Sequence, residues 1–234
     1  MHGSWLAFML RGVCFSCCMI FQDVFDFTAF YFDMSVVCCK FVVKYNISYT
    51  MTYTIEKVTT LIGARRFGAS DAKIGFVLTD SRSLCFPEET LFFALKSGRN
   101  DGHYYIPELY RRGVRNFVVT EVPADYATEY AEANFLKVVN SLEALQRLAE
   151  RHRDEFNIPI VGITGSNGKT MVKEWLNQLL CDDMFITRSP RSYNSQVGVP
   201  LSVWLLNEHT QVGVFVAGIS QPGEMLALRD IIQP

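Results

Sequence analysis

The sequence predicts an α/β protein: an N-terminal α/β domain followed by the opening part of a second domain with a parallel sheet. Three observations predict it. Strand-like and helix-like runs alternate regularly from Met51 onward. A short apolar run at 160–164 leads into a glycine-rich turn and then into a helical run, Lys169–Leu180. A further apolar run, 212–217, follows as a core strand. The chain has 234 residues, of which 49% are hydrophobic and 20% charged, and a formal net charge of −2. That size allows one large domain or two small ones, and the near-neutral balance offers no electrostatic case for nucleic acid or an anionic membrane as partner.

Residues 1–50 differ in character from the rest, being rich in Phe, Cys, Val and Met and poor in charge. The apolar run 4–21 carries Arg11 near its middle, which is costly in a bilayer, and it lacks a small-residue cleavage site. The run 36–43 is too short to span. Residues 1–50 are therefore expected to be a non-native or apolar extension, with the biological start at Met51 and Thr54 as a helix N-cap shortly after it. Cys14, Cys17, Cys18, Cys38 and Cys39 crowd into that extension, and their spacing is not that of a zinc ribbon. Cys85 and Cys181 stand alone in the body of the chain, which suits a reducing cytoplasm.

Within 51–156, Phe76–Leu78 and 91–95 read as strands, flanked by the turn-rich segments 79–83 and 97–102. Residues 104–112 read as a helix that Gly113 ends, and 116–120 as a short buried strand. Residues 135–139 repeat the strand signal. Ser141 is expected to cap an amphipathic helix running to about Arg153, with Leu142, Leu145 and Leu148 on one face. Asn157, Ile158 and Pro159 read as a hinge, which divides the chain into domains at 51–156 and 157–234.

The strongest chemical signal is the run Gly162-Ile163-Thr164-Gly165-Ser166-Asn167-Gly168-Lys169-Thr170. A buried apolar strand before it and a helix after it are the setting of a phosphate loop. Glycines let the backbone curl so that successive N–H groups face phosphate oxygens, and the helix N-terminus adds a favourable dipole. Lys169 can reach the β- and γ-phosphates of ATP, and the Thr170 hydroxyl can ligate Mg²⁺. The spacing departs from the general phosphate-loop pattern, because Ile163 stands where that pattern has glycine.

The variant Thr164-Gly165-Ser166-Asn167-Gly168-Lys169-Thr170 resembles that of the Mur ligases, the ATP-dependent ligases of bacterial cell-wall synthesis, and of their folylpolyglutamate synthetase relatives. Thr79-Asp80-Ser81-Arg82 with 91–106 is similar to the members that add the third residue or the terminal dipeptide, and Lys173-Glu174, Tyr193-Asn194 with 195–200, and Gly218-Ile219-Ser220-Gln221 with 222–224 are similar to those that add the dipeptide. The resemblance covers 51–234. It implies a UDP-muramoyl-peptide-binding domain at 51–156 and an ATP-binding central domain at 157–234, with UDP-N-acetylmuramoyl-tripeptide and D-alanyl-D-alanine as substrates, ATP and Mg²⁺ as cofactors, and a cytoplasmic location. It implies that Asp80, Ser81 and Arg82 sit near the UDP-sugar, and that Asn194 lies near phosphates or substrate. The alternatives that the residues themselves leave open are a capped surface turn at 80–82 and a turn asparagine at 194.

Two departures from the family pattern bear on activity. The family carries a Mg²⁺-ligating glutamate at the end of the core strand, where this chain has Val216 in the run Phe215-Val216-Ala217-Gly218; a valine offers no oxygen to a hard cation. Glu224 matches a different family glutamate. The family's adenine contacts, its modified lysine and its closing domain correspond to sequence beyond Pro234. The expectation is a chain inactive by itself, with further domains following it in a complete protein. The third-residue-adding Mur ligases, or a non-catalytic UDP-sugar-binding piece, are the alternative readings.

Overall fold

The computed structural model describes residues 51–68, 70–98, 100–219 and 223–234, which belong to one unit. The expectations for the 1–50 extension, and the resemblance carried by Ser220, Gln221 and Pro222, lie outside the described residues.

The chain enters on a two-residue strand, β1 (Tyr53–Thr54), and turns at once into helix α1 (Ile55–Ile62). Thr54 is its N-cap as expected: its hydroxyl accepts from the Lys57 N–H, and Gly63 closes the other end at φ 64. The edge strand β2 (Arg65–Phe67) follows, and then β3 (Lys73–Ile74), which pairs with β1.

Next come β4 (Phe76–Leu78), β5 (Thr90–Phe93), the hairpin β6 (Lys96–Ser97) and β7 (Asn100–Asp101), helix α2 (Ile106–Arg111), β8 (Asn116–Val119), the short α3 (Tyr126–Glu129) and β9 (Asn134–Lys137). They build a five-stranded sheet in the order β2-β9-β8-β5-β4, parallel throughout except at β2. Strands β5 and β8 are buried along their whole length, because a parallel sheet is covered on both faces and selects continuous rather than alternating apolar runs. Leu91, Phe93, Val118 and Leu136 face one core with Val58, Leu145 and Leu148; Phe92, Phe117, Val119 and Phe135 face the other with Leu109.

The expected helix over 104–112 divides in two. Residues Gly102–Tyr105 form a 3-10 turn capped by the Asp101 carboxylate, and the α-helix begins at Ile106. Pro107 has no N–H and a fixed φ, so it belongs in a first turn and marks where the α-helix starts.

Helix α4 (Ser141–Arg153) has the expected span but a different cap. Asn140 Oδ1 accepts from the N–H groups of Leu142 (3.0 Å) and Glu143 (3.4 Å), while the buried Ser141 hydroxyl donates to the Ala94 carbonyl 2.9 Å away. The cap must stand in extended backbone, and Asn140 does, at φ −138 and ψ 117. The buried face accordingly runs through Ala144, Leu145, Leu148, Ala149 and His152, and Leu142 is only half-buried.

The remaining elements are β10 (Ile160–Ile163), α5 (Lys169–Leu180), β11 (Ile186–Arg188), α6 (Gly198–Val203), β12 (Val212–Val216) and α7 (Glu224–Ile232). Their strands form a second, fully parallel sheet in the order β10-β12-β11, with Ile160 opposite Gly213 and Ile163 opposite Val216. Strand β10 is not the buried strand that its composition suggests: Val161 and Gly162 are exposed, because β10 lies at the sheet edge among the described residues.

Helix α4 packs against β5 of the first sheet and against α1, and on its other side against α6 and α7. Trp204, just after α6, reaches the first core, lying at a tilt of 37° against the rings of Tyr53 and His152 and donating its indole N–H to the Gly75 carbonyl at 3.0 Å. Buried Arg153 spans the same junction, donating to the carbonyls of Phe156, Ile232 and Gln233. The 157–159 segment thus crosses a joint already tied by side chains.

Candidate phosphate-binding site

Strand β10 ends at Ile163 and α5 begins at Lys169, so the turn 164–168 is the connection between them. Its backbone is set by two glycines, Gly165 at φ 137 and Gly168 at φ 78. Nothing lies within 4 Å of a Cβ built at either position, so the requirement is the sign of φ and not room. Gly168 is the N-cap of α5 and has no side chain to occupy the first N–H groups, which leaves them for an anion.

Thr164, Gly165, Ser166, Asn167, Gly168 and Thr170 are all exposed. The Lys169 ammonium folds back on the loop, donating to the carbonyls of Gly165 (2.5 Å) and Ser166 (3.4 Å). The structure thus brings every residue of the expected phosphate loop into one solvent-open turn, with its cation held directly over it.

Three loops leave the C-terminal ends of the parallel strands β10, β11 and β12: 164–168, 189–194 and 217–219. Asn194 belongs to this rim. Its carbonyl accepts the Gly218 N–H at 2.8 Å, and a Cβ at position 218 would lie 2.7 Å from its side-chain nitrogen, so a larger residue there would displace the Asn194 amide. Val216 is the last residue of β12, directly opposite Ile163. It is 1% exposed, and its N–H donates to the Ser189 hydroxyl at 3.1 Å. Among the described residues no cluster of three or more His, Cys, Asp or Glu side chains could hold a metal ion.

Asp80, Ser81 and Arg82 lie on the other sheet, following β4. Asp80 caps a 3-10 turn by accepting the Arg82 N–H at 3.0 Å, and the Arg82 guanidinium clamps the same carboxylate at 2.6 and 2.9 Å. That side-chain contact holds the Asp80 carboxyl below the usual carboxylate range. Ser81 is buried and its carbonyl accepts from Arg112 Nη1 at 2.8 Å. Arg82 itself is 89% exposed. The triplet is therefore a locally capped turn that presents one guanidinium to solvent at the C-terminal end of a parallel strand, the edge where α/β sheets bind ligands.

A cavity of about 340 Å³ opens at the same edge of this first sheet, lined in part by Lys96, Asp101, His103, Thr120, Glu121 and Tyr130. His103 Nε2 accepts the Thr120 N–H at 3.1 Å, so its proton is on Nδ1, which donates to Asp101 Oδ1 at 2.5 Å. The His103 backbone N–H, ahead of its ring, depresses the Asp101 pKa. The sequence reading did not single out this cluster. Its signal was the Asp-Gly-His run at 101–103, an N-cap acid followed two residues later by a histidine.

The comparisons with known proteins follow this geometry. A family profile described as "Mur ligase family, catalytic domain" matches residues 73–153. Three curated relatives carry the name UDP-N-acetylmuramoyl-tripeptide–D-alanyl-D-alanine ligase. That of Bacillus subtilis is 31% identical over 68% of this chain and 34% of its own length. That of Synechocystis is 34% identical over 71% and 36%, and that of Treponema pallidum 34% identical over 79% and 41%. Among solved structures, a MurF from Acinetobacter baumannii superposes with a TM-score of 0.71 at 25% identity, over 79% of this chain and 40% of that one. MurF from Thermotoga maritima, in complex with ADP, gives 0.57 at 26% identity, over 73% and 36%.

Parallel α/β sheets, the glycine turn between β10 and α5 and these matches together define a Mur ligase fold: the chain belongs to the Mur ligase family. Within that family it is similar to the UDP-N-acetylmuramoyl-tripeptide–D-alanyl-D-alanine ligases, and it spans 34–41% of the length of the three curated relatives named above.

Proposed function

We infer that this chain is the precursor-binding and nucleotide-binding portion of an ATP-dependent peptide ligase of peptidoglycan synthesis, acting in the cytoplasm. The reaction is the joining of D-alanyl-D-alanine to UDP-N-acetylmuramoyl-tripeptide. The γ-phosphoryl of ATP passes to the tripeptide carboxylate with release of ADP. The dipeptide amine then attacks the acyl phosphate, and inorganic phosphate leaves as the amide forms.

The observation that carries this reading is the turn 164–168, with both glycines at positive φ and Lys169 poised over it. Bound phosphate oxygens would draw the Lys169 ammonium off the Gly165 and Ser166 carbonyls, and the N–H groups at the start of α5 would face the same charge. At the other sheet, Arg82 is the exposed cation suited to a diphosphate, with Asp80 orienting its plane. Asn194 would approach phosphates or substrate from the β11 side.

Magnesium fits these residues only in part. Thr170 offers an exposed hydroxyl to a metal carried by the nucleotide phosphates, but the side chain at the end of β12 is a buried valine. The charge of the moving phosphoryl group therefore falls chiefly on Lys169 and the loop N–H groups, which supports slow or absent turnover. No helix among the described residues is long and apolar enough to cross a membrane.

The test is equilibrium binding of the 234-residue chain to ADP and to UDP-N-acetylmuramoyl-tripeptide, followed by an ADP-release assay with ATP, Mg²⁺ and both substrates. Both ligands are expected to bind, Lys169→Ala is expected to abolish ADP binding, and release should not exceed background while valine stands at 216. Failure of both ligands to bind would overturn the assignment. Binding of the UDP-precursor alone would favour the second reading, a UDP-sugar-binding module with a disabled phosphate loop, to which Val216 points.

A further inference from the structure

Lys173 lies one helical turn beyond Lys169 on α5, and its side chain is fully buried. A buried ammonium is costly unless its three N–H donors are all engaged. Here Nζ donates to the carbonyls of Ser189 and Arg191, both at 2.8 Å, and lies 3.0 Å from Glu174 Oε1. The other Glu174 oxygen meets the Arg188 guanidinium. Two of the three donors thus hold the loop that leaves β11, and the third meets Glu174 on the same helix.

That loop leaves β11 at the same strand-end rim as the 164–168 turn and passes through Asn194, which meets Gly218. Arg191 stands in the left-handed region at φ 46, a conformation that a non-glycine residue holds only when its surroundings impose it. Capture of its carbonyl by Lys173 is such a constraint. In a trans peptide the N–H of the next residue points opposite to that carbonyl, so the Ser192 N–H is turned away from the buried ammonium, and Ser192 is exposed. Carbonyls drawn beneath a loop and N–H groups left on its open side make an anion-binding concavity.

We propose that Lys173 is a positioning residue of the phosphate site: it holds the carbonyl oxygens of Ser189 and Arg191 beneath the loop, so that the loop presents the Ser192 N–H to bound phosphates. This rests on the nucleotide reading given above. Lys173 touches no ligand itself and acts through the loop.

The experiment is titration calorimetry of ADP with the full 234-residue chain, its Lys173→Met and Lys173→Gln variants and the double variant Lys173→Met/Arg191→Gly, each checked for folding by circular dichroism. Methionine removes every donor, and ADP affinity is expected to fall about tenfold. Glutamine keeps N–H donors for the carbonyls and is expected to stay within about threefold of wild type. Glycine at 191 removes the cost of the left-handed backbone, so the double variant should recover part of the loss; a lysine that only stabilised the fold would show no such recovery in affinity. Wild-type affinity in a folded Lys173→Met variant, or equal losses with methionine and glutamine, would overturn the proposal. If the methionine variant does not fold, the glutamine variant decides, and a tenfold loss in that folded protein overturns it. No ADP binding by the wild type would overturn the nucleotide reading, and this inference with it; binding by the wild type with an unchanged methionine variant overturns this inference alone.

Discussion

The joint between the two sheets contains one histidine that cannot take a proton cheaply. His152 is buried beneath Trp204, and its Nε2 lies 3.1 Å from the Leu206 carbonyl. A carbonyl accepts only, so Nε2 carries the proton and Nδ1 is left as an acceptor facing the Tyr53 hydroxyl at 2.7 Å, whose single proton is shared with Glu155 Oε2 at 3.0 Å. Burial lowers the His152 pKa from 6.5 to about 4, against smaller opposing contributions from the Leu206 carbonyl and Glu155, while Lys57 lowers it further. The folded-state pKa is thus below the unfolded one, so the neutral ring's contribution to stability is complete above pH 6.5 and is lost as pH falls toward 4. A shift of that size is worth about 3 kcal/mol between pH 7.5 and pH 4. The perturbation is His152→Gln, whose amide can donate to Leu206 and accept from Tyr53 without titrating. Urea unfolding at both pH values should show the wild type losing about 3 kcal/mol more than the variant on acidification. Parallel losses in the two proteins would refute the assignment of a neutral buried histidine at this joint.

Other outcomes follow from the same geometry. Asn140→Ala should cost about 1 kcal/mol in urea unfolding by removing the α4 cap. Trp204→Ala should cost about 3–5 kcal/mol, since its ring fills the joint and its indole leaves the Gly75 carbonyl unpaired. Gly168→Ala places a Cβ at φ 78 and should weaken ADP binding while costing roughly 1 kcal/mol of stability, read by calorimetry and urea unfolding. Val216→Glu buries an unpaired carboxylate and should lower the melting temperature of the ligand-free chain, with Mg²⁺ and ADP together restoring more of it than ADP alone. Equal restoration with and without Mg²⁺ would show that the end of β12 is not where the metal sits.

The sequence by itself determined much of this protein. Continuous apolar runs at 91–93 and 117–119 are best satisfied by strands covered on both faces, and glycines at 165 and 168 before Lys169 suit a turn that needs positive φ. The family resemblance was readable for the same reason, because a phosphate loop is local and its chemistry is written in consecutive residues. The tertiary structure decided what local rules leave open. Asn140 and Ser141 are both good caps, and the choice fell to Asn140 because Ser141 was drawn to a carbonyl 47 positions earlier in the chain. Position 160–163 reads as a core strand, yet its exposure depends on which strands lie beside it. Lys173 on an amphipathic helix reads as a solvated cation until two carbonyls from a distant loop close around it. Periodicity and propensity act within a few residues, whereas the partner of a buried polar group is supplied by whatever segment the fold brings against it.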